Sequence, residues 1–235
     1  LTGFPANVTV VLPTKNEEKN IPGFLASLPA DIPLIVLDDS TDSTQAVIRS
    51  LRSQNTRIIT MSAGVAAKRQ CGAELAGSDW VLFTDADIQF APEYFHKLKD
   101  SLKGDLVYGP KLSAGKKHLY YYLFYLGQVA FSRMGIPAAS ASNMIVRRQV
   151  FMDIGGFDIN LSCNEDTDLV FRLARANYNF RWEPGLLVYN TDHRRLRRGI
   201  IWRYGHIMSR TLLIYLNLKH AVPRSWLYSD WGYWG

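Results

Sequence analysis

Only two cysteines, Cys71 and Cys163, occur in 235 residues, and neither stands at a spacing a metal site would use. That excludes a disulfide-built scaffold of the small secreted kind and leaves reduced structural thiols on the cytoplasmic side as the plain expectation. A disulfide between the two is the weaker alternative. The chain opens at Leu1 with neither a charged leader nor an apolar core after it, so no secretory signal peptide is expected. The missing initiator methionine suggests trimming, and the aromatic ending Tyr228 to Gly235 reads as a natural or near-natural terminus or, as the alternative, as a cut before further membrane segments. The aromatic-rich segment Leu119 to Phe131 falls short of the roughly 20 apolar residues that cross a bilayer. Internal repeats and low-complexity tracts are absent, which excludes solenoids and disordered linkers. Acidic residues are missing from one region altogether. Between His193 and Arg224 there is no Asp or Glu, while eight of the 27 Lys and Arg residues lie there.

The remaining composition describes a folded globular protein, with 47% hydrophobic and 20% charged residues. Its length suffices for one large domain, or for one domain with an appendage. The net charge of +6 comes from the tail, because residues 1–192 hold 19 basic against 20 acidic side chains. Basic residues interleaved with Ile200, Ile201, Trp202, Tyr204, Ile207, Met208 and Leu212 to Leu216 are the pattern of a segment lying against anionic lipid. Nucleic acid is the competing partner. It ranks lower, since bulky aliphatic residues and no nucleic-acid motif accompany the charge.

Along the chain, Val8–Leu12, Pro33–Leu37, Arg57–Met61 and Asp79–Thr84 read as apolar strands. Helix-like segments at Asn20–Ser27, Thr41–Ser53 and Ala66–Ala76 separate them. Four strands alternating with three helices predict a parallel sheet covered on both faces. Ligands in such sheets bind at the carboxyl ends of the strands, so Thr14 to Glu17, Asp38 to Ser40 and Asp85 to Asp87 are expected to converge on one cleft. The run Trp80 to Phe83 ends in Asp85-Ala86-Asp87. Carboxylates at i and i+2 of an extended segment point the same way, and one or both would hold Mg²⁺ or Mn²⁺ against a diphosphate. A solvated turn is the alternative for a lone copy of that pattern.

The second half is less regular. Asp105–Gly109 and Ala141–Arg147 read as strands, Arg148–Ile154 as a short helix and Gly155-Gly156-Phe157-Asp158 as a turn. Leu119–Phe131, with Tyr120, Tyr121, Tyr122, Phe124 and Tyr125, reads either as a core helix or as an apolar surface near an acceptor or a membrane. Asn164-Glu165-Asp166-Thr167-Asp168 opens a helix to Ala176. Carboxylates at a helix N-terminus are favoured by its dipole, so stability alone explains part of that cluster.

Taken in order and spacing, Pro13-Thr14-Lys15-Asn16-Glu17, Asp38-Asp39-Ser40, Gly64 through Lys68-Arg69-Gln70 to Gly72, Asp85-Ala86-Asp87, Gly155-Gly156-Phe157 and Glu165-Asp166-Thr167-Asp168-Leu169 resemble the family 2 glycosyltransferases of GT-A fold. The resemblance spans roughly residues 7–198; Gln70 departs from it, where many members carry Asn. It implies a Rossmann-like α/β fold with a mixed, mainly parallel sheet flanked by helices. It also implies transfer of a sugar from a nucleotide sugar, usually with inversion and a divalent metal, Mn²⁺ or Mg²⁺. Asp166 matches the general base and Asp87 the metal ligand, with Asp85 at the ribose or assisting at the metal. Asp39 would accept from a uracil N3–H. Pro13, Thr14, Asn16, Glu17, Lys68 and Arg69 would line the nucleotide-sugar pocket, and Glu165 would orient acceptor or sugar hydroxyls. His193 would complete the metal site. Arg194, Arg195, Arg197 and Arg198 would close over the diphosphate or hold lipid headgroups.

The expectation is a catalytic domain over 1–198, with a nucleotide-binding half (1–90) and an acceptor-binding half (91–198), followed by a basic, amphipathic membrane-interface segment over 199–235. Its partners would be a nucleotide-sugar donor, a lipid-linked or apolar acceptor and the cytoplasmic face of a membrane, in a peripheral or monotopic manner, without nucleic acid. Three alternatives stand beside it. They are a soluble transferase building a polysaccharide, a nucleotidyltransferase of similar architecture, and a non-enzymatic membrane-binding module. The nucleotidyltransferase would call for a Gly-rich, basic loop near the first strand, for which Lys15 alone is poor support.

Overall fold

A computed structural model describes residues 7–115, 119–192, 200–218 and 220–229. The elements follow as β1 (Val8–Thr14), α1 (Ile21–Ser27), β2 (Leu34–Asp38), α2 (Thr44–Leu51), β3 (Thr56–Thr60), α3 (Val65–Leu75), β4 (Trp80–Thr84), β5 (Ile88–Phe90) and α4 (Tyr94–Ser101). Then come β6 (Leu106–Tyr108), β7 (Lys111–Ser113), α5 (Leu119–Arg133), β8 (Asn143–Arg147), α6 (Arg148–Asp153), α7 (Glu165–Arg175), β9 (Phe180–Trp182), β10 (Val188–Asn190) and α8 (Ile200–Leu218). A 3-10 turn at Arg224–Leu227 follows.

Seven strands form one sheet in the order β3-β2-β1-β4-β8-β6-β9. The first four run parallel, with Thr14 opposite Asp38 across β1 and β2, and Val8 opposite Trp80 across β1 and β4. β8 lies antiparallel between β4 and β6. Both faces are covered, which is why these strands read as unbroken apolar runs. Val8, Val10 and Leu12 pack with Ile21, Phe24, Tyr94 and Leu98 on one face. Val11, Leu37 and Phe83 pack with Ala73, Phe151, Leu169 and Leu173 on the other. The connection reverses direction between β1 and β4, so the cleft expected of an open α/β sheet lies beyond Thr14 and Thr84.

Two glycines set how closely layers approach. A Cβ at Gly72 would meet Val11 Cγ1 at 2.4 Å and Leu37 Cδ2 at 2.9 Å, so α3 seats its backbone directly on β1 and β2. At Gly156 φ is +63° and a Cβ would lie 2.0 Å from Gln70 Oε1. That amide oxygen accepts the Phe157 N–H at 3.0 Å, tying α3 to the Gly-Gly-Phe turn.

The structure departs from the sequence reading in three places. Asp85 and Asp87 do not sit in an extended segment. The chain turns there, with Ile88 N–H donating to the Asp85 carbonyl at 3.2 Å, and enters β5. A second, three-stranded sheet, β5-β10-β7, was not expected, and strands of three residues carry no period to read. The tail is the third. Over its described part, Ile214 and Leu227 pack with Leu161, Phe171 and Leu213. Arg210 is fully buried and donates to the carbonyls of Cys163, Leu227 and Ser229. Arg224 reaches Asp158 at 2.8 Å and Asp168 at 3.1 Å. Cys71 and Cys163 are both thiols. Among the described residues no helix is long and apolar enough to cross a membrane.

Gly72→Ala is expected to lower the unfolding free energy by about 1–3 kcal/mol through overpacking, read from urea denaturation. An unchanged midpoint would show that α3 can shift outward without loss.

Candidate active site

The cleft is built from strand ends upward. Asp38 closes β2 with no exposure to solvent, and its carboxylate accepts from Thr14 Oγ1 at 2.6 Å, Ser40 Oγ at 2.6 Å and Gln45 Nε2 at 2.8 Å. Burial works against the charged form, yet the hydrogen bonds from Ser40, Thr14 and Gln45 outweigh it and hold this carboxyl below its ordinary value. Thr14 is thus turned toward Asp38, while its carbonyl takes the buried Lys68 ammonium at 2.9 Å. Burial lowers the Lys68 pKa, against the pull of Asp39 and Asp38. Asp39 points to the open side. It pairs with Lys15 at 3.1 Å, and that bond leads the causes that push its carboxyl down.

Asn16 adopts a left-handed conformation, φ 56°, and its amide oxygen accepts the Thr41 N–H at 2.8 Å. Glu17 accepts from Asn20 at 2.6 Å, and its own N–H donates to Thr44 Oγ1 at 2.8 Å. Both residues therefore clasp the loops after β1 and β2 together. Pro13 is half-buried within β1.

At the centre, α3 delivers Arg69 between two carboxylates. Its guanidinium donates to Asp85 Oδ1 at 2.6 Å and to Glu165 Oε1, with all three side chains buried. Burial pushes the Glu165 carboxyl above its ordinary value, and the Arg69 charge opposes that shift. Glu165 and Asp166 open α7, preceded by Asn164 at φ 60°. Asp166 is half-buried. Its Oδ2 accepts the Ala141 N–H at 3.0 Å and its Oδ1 the Thr167 N–H at 2.8 Å, so the loop before β8 fixes the carboxylate's direction.

Asp87 belongs to a second chain of contacts. Asn190 Nδ2 donates to Asp87 Oδ2 at 3.0 Å, and Tyr121 Oη donates to Asn190 Oδ1 at 2.6 Å. Thr191 donates twice to the Asp87 carbonyl, through its N–H at 2.8 Å and its hydroxyl at 3.0 Å. These contacts hold the Asp85–Asp87 turn against β10 and α5. Asn190 and Tyr121 carried no signal in the sequence, because they meet Asp87 only through the small sheet. The donor set fits a hard divalent cation: two carboxylates of one turn supply oxygen ligands, as Mg²⁺ and Mn²⁺ prefer. Among the described residues no group of three His, Cys, Asp or Glu forms a metal cluster. His193, Arg194, Arg195, Arg197 and Arg198 lie outside the described residues.

A cavity of about 410 Å³ is lined by Arg69, Asp85, Glu165 and Asp166 together with Leu123, Phe124, Phe131, Ile136, Ile207 and Met208, and Leu123, Phe131, Ile136 and Met208 are also exposed to solvent. Its volume is that of a small-molecule site. The walls come from α5, α8 and the 136–142 loop, so the aromatic segment and the tail that stood apart in sequence meet at one pocket.

Comparison with known proteins adds two family matches, two relatives and two solved structures. The family described as glycosyl transferase family 2 matches residues 9–155, and a second, glycosyltransferase-like family 2, matches residues 128–226. The succinoglycan biosynthesis protein ExoA of Rhizobium meliloti is 26% identical over 246 residues, covering 95% of this chain and 67% of that protein. A pre-mycofactocin glycosyltransferase of Mycobacterium tuberculosis is 27% identical over 220 residues, covering 84% of this chain and 45% of its own length, so the chain spans under half of that relative. In fold, it is similar to S. aureus TarS in complex with UDP-GlcNAc (TM-score 0.60, 21% identity, 80% of this chain and 59% of that one). It is similar also to the mannosyltransferase PcManGT of Pyrobaculum calidifontis in complex with GDP-Man and Mn²⁺ (TM-score 0.69, 20% identity, 93% and 65%).

The pH dependence of stability follows from Asp38. A carboxyl held below its unfolded value contributes fully above that value, near 4, and the contribution is lost as pH falls through the folded one. Asp38→Asn is therefore expected to be less stable than wild type at pH 7, with the gap closing below about pH 4. A gap that stays constant in urea titrations down to pH 3 would assign it to packing instead.

Proposed function

We propose, from the premise that this chain belongs to glycosyl transferase family 2, that it moves a hexosyl group with inversion from a UDP-sugar to a hydroxyl of a lipid-linked or otherwise apolar acceptor. It is a glycosyltransferase of GT-A fold using a nucleotide-sugar donor. The single observation that carries the finer reading is the cavity, whose lining brings Asp166 together with apolar side chains of α5 and α8. The nucleotidyltransferase and non-enzymatic alternatives fall with family membership.

In this reading the acceptor hydroxyl enters beside Asp166. The carboxylate takes the hydroxyl proton as that oxygen bonds to the sugar's anomeric carbon. The bond from this carbon to the diphosphate oxygen breaks on the opposite side, and the nucleoside diphosphate leaves with the electron pair. The N–H groups of Ala141 and Thr167 keep the Asp166 oxygens aimed, and Oδ2, which accepts one bond against two at Oδ1, retains a lone pair for the incoming proton. Glu165, locked by Arg69, orients the sugar or acceptor hydroxyls. Asp87, with Asp85, would hold Mg²⁺ or Mn²⁺, joined by His193. Bound there, the cation would take up charge developing on the departing diphosphate.

Asp39 supports uracil as the base. It is the carboxylate facing outward at the end of β2, and such an acceptor suits the uracil N3–H. TarS was solved with UDP-GlcNAc, which agrees; PcManGT holds GDP-Man with Mn²⁺, which supports the metal and keeps GDP in the test. Pro13, Thr14, Asn16, Glu17 and Lys68 shape the floor of the nucleoside pocket, and Arg194, Arg195, Arg197 and Arg198 would close over the diphosphate.

Charge and exposure support a peripheral seat on the cytoplasmic face of an anionic membrane. Residues 106–152 and 193–229 hold no acidic side chain, and α5 and α8 lie within them. Tyr122, Leu126, Met134, Trp202, Leu212 and Tyr215 are exposed on these two helices and just past α5. A transferase building a soluble polysaccharide is the second reading, and it has no use for that surface.

Nucleoside diphosphate release from UDP-, GDP- and dTDP-sugars, with and without Mn²⁺ or Mg²⁺ and solubilised lipid, tests the reaction. Asp166→Asn is expected to reduce transfer by about 10³-fold or more with nucleotide affinity unchanged. Asp87→Ala is expected to weaken metal-dependent nucleotide binding as well. Equal loss of both properties in both variants would assign them to structure. Removing residues 199–235 is expected to reduce binding to phosphatidylserine vesicles, most clearly at low salt. Vesicle binding that survives the deletion unchanged would remove the tail from the membrane contact.

A further inference from the structure

Glycine is disfavoured inside a helix, because it costs backbone entropy and packs nothing. Gly127 nevertheless occupies the middle of α5. Its conformation does not call for glycine, since it is absent from the positions of positive φ. Close approach does not call for it either: a Cβ there would meet no atom within 4 Å, unlike one at Gly72. Space where a side chain would stand is what Gly127 provides, and that space belongs to the cavity.

The neighbours give the space a shape. Leu123 and Phe131 lie four residues to either side, on the same stripe of α5, and both line the cavity. Gly127 is thus a notch between two large apolar side chains. Met208 and Thr211 of α8 line the cavity as well, and so does Asp166.

We infer that the Gly127 notch receives the hydrocarbon chain of a hydroxyl-bearing amphiphile and determines which chain lengths the site accepts. This rests on the reading of Asp166 as the residue that meets the acceptor hydroxyl. The occupant is an alcohol carrying an apolar chain, whether it comes from a lipid or from a free long-chain alcohol. A substituent at position 127 reduces the space available to the chain.

The test measures binding of radiolabelled n-alcohols, from hexanol to dodecanol, by equilibrium dialysis of the full chain with no sugar donor present. UDP binding and the unfolding midpoint are recorded alongside for wild type, Gly127→Ala and Gly127→Leu. Wild type is expected to gain roughly threefold to fourfold in affinity with each added methylene. Gly127→Leu is expected to weaken dodecanol binding by about tenfold or more, with hexanol less affected, and Gly127→Ala to fall between. Both variants should keep the UDP affinity and a midpoint no lower than wild type, since each removes an interior glycine. Wild-type affinity independent of chain length, or dodecanol bound equally by Gly127→Leu, would overturn the inference. Either result leaves the transferase reading standing, because that reading fails separately, on absent nucleotide binding and diphosphate release.

Discussion

A single guanidinium, buried between two carboxylates, holds this site together. Arg69 leaves α3 to bind Asp85 just past β4, the next element, and Glu165 at the start of α7, nearly a hundred residues on. Each charge is nearly out of water, so the arrangement stands only because each has its partner. Breaking such a cluster by removing one member typically costs about 3–5 kcal/mol, well above the worth of an exposed ion pair. The close seating of α3 at Gly72 sets how far Arg69 reaches, and the turn at Asp85 sets where it ends. A small packing constraint on one face of the sheet thereby fixes the opening of the cleft.

Asp166 is mounted from the other side. The loop before α7 is held at the Cys163 carbonyl by Arg210 of α8, and Asp168 within α7 is held by Arg224 beyond α8. Asp158, Asp168, Arg172 and Arg224 form one connected set of ion pairs beneath Glu165 and Asp166. The C-terminal segment is in this sense part of the mounting of α7, and α8 gives the cavity one of its walls. Segments that look like an appendage by charge are joined to the body by that same charge.

The parallel half of the fold was legible because its strands are buried on both faces and its loops end in polar clusters. Val8–Leu12, Pro33–Leu37, Arg57–Met61 and Asp79–Thr84 could be found by composition alone, and Thr14, Asp38 and Asp85 marked their ends. Asp39, Lys68, Arg69, Glu165 and Asp166 were within reach through ordered motifs. What they touch was not. Spacing does not reveal that Thr14 turns to Asp38, or that Arg69 spans from Asp85 to Glu165. The three-residue strands β5, β7 and β10 lay below any periodic signal, and with them the contact of Asp87 with Asn190 and of Asn190 with Tyr121. The extended geometry expected for Asp85 and Asp87 failed because the chain reverses there, a choice made by the pairing of β5 with β10 across a hundred residues.

The meeting of Gln70 with Gly156 couples two positions that stand far apart in the chain. The amide that caps the Phe157 N–H occupies the volume a side chain at 156 would need. A mutation at 156 alone meets both a blocked space and a backbone in the left-handed region, whereas shortening 70 alone opens a gap and loosens the turn that precedes α7. The two sites therefore form one unit of inheritance: sequence drift has to keep the glycine for as long as it keeps the longer amide. The order in which substitutions accumulate is constrained there even though neither residue takes part in the reaction.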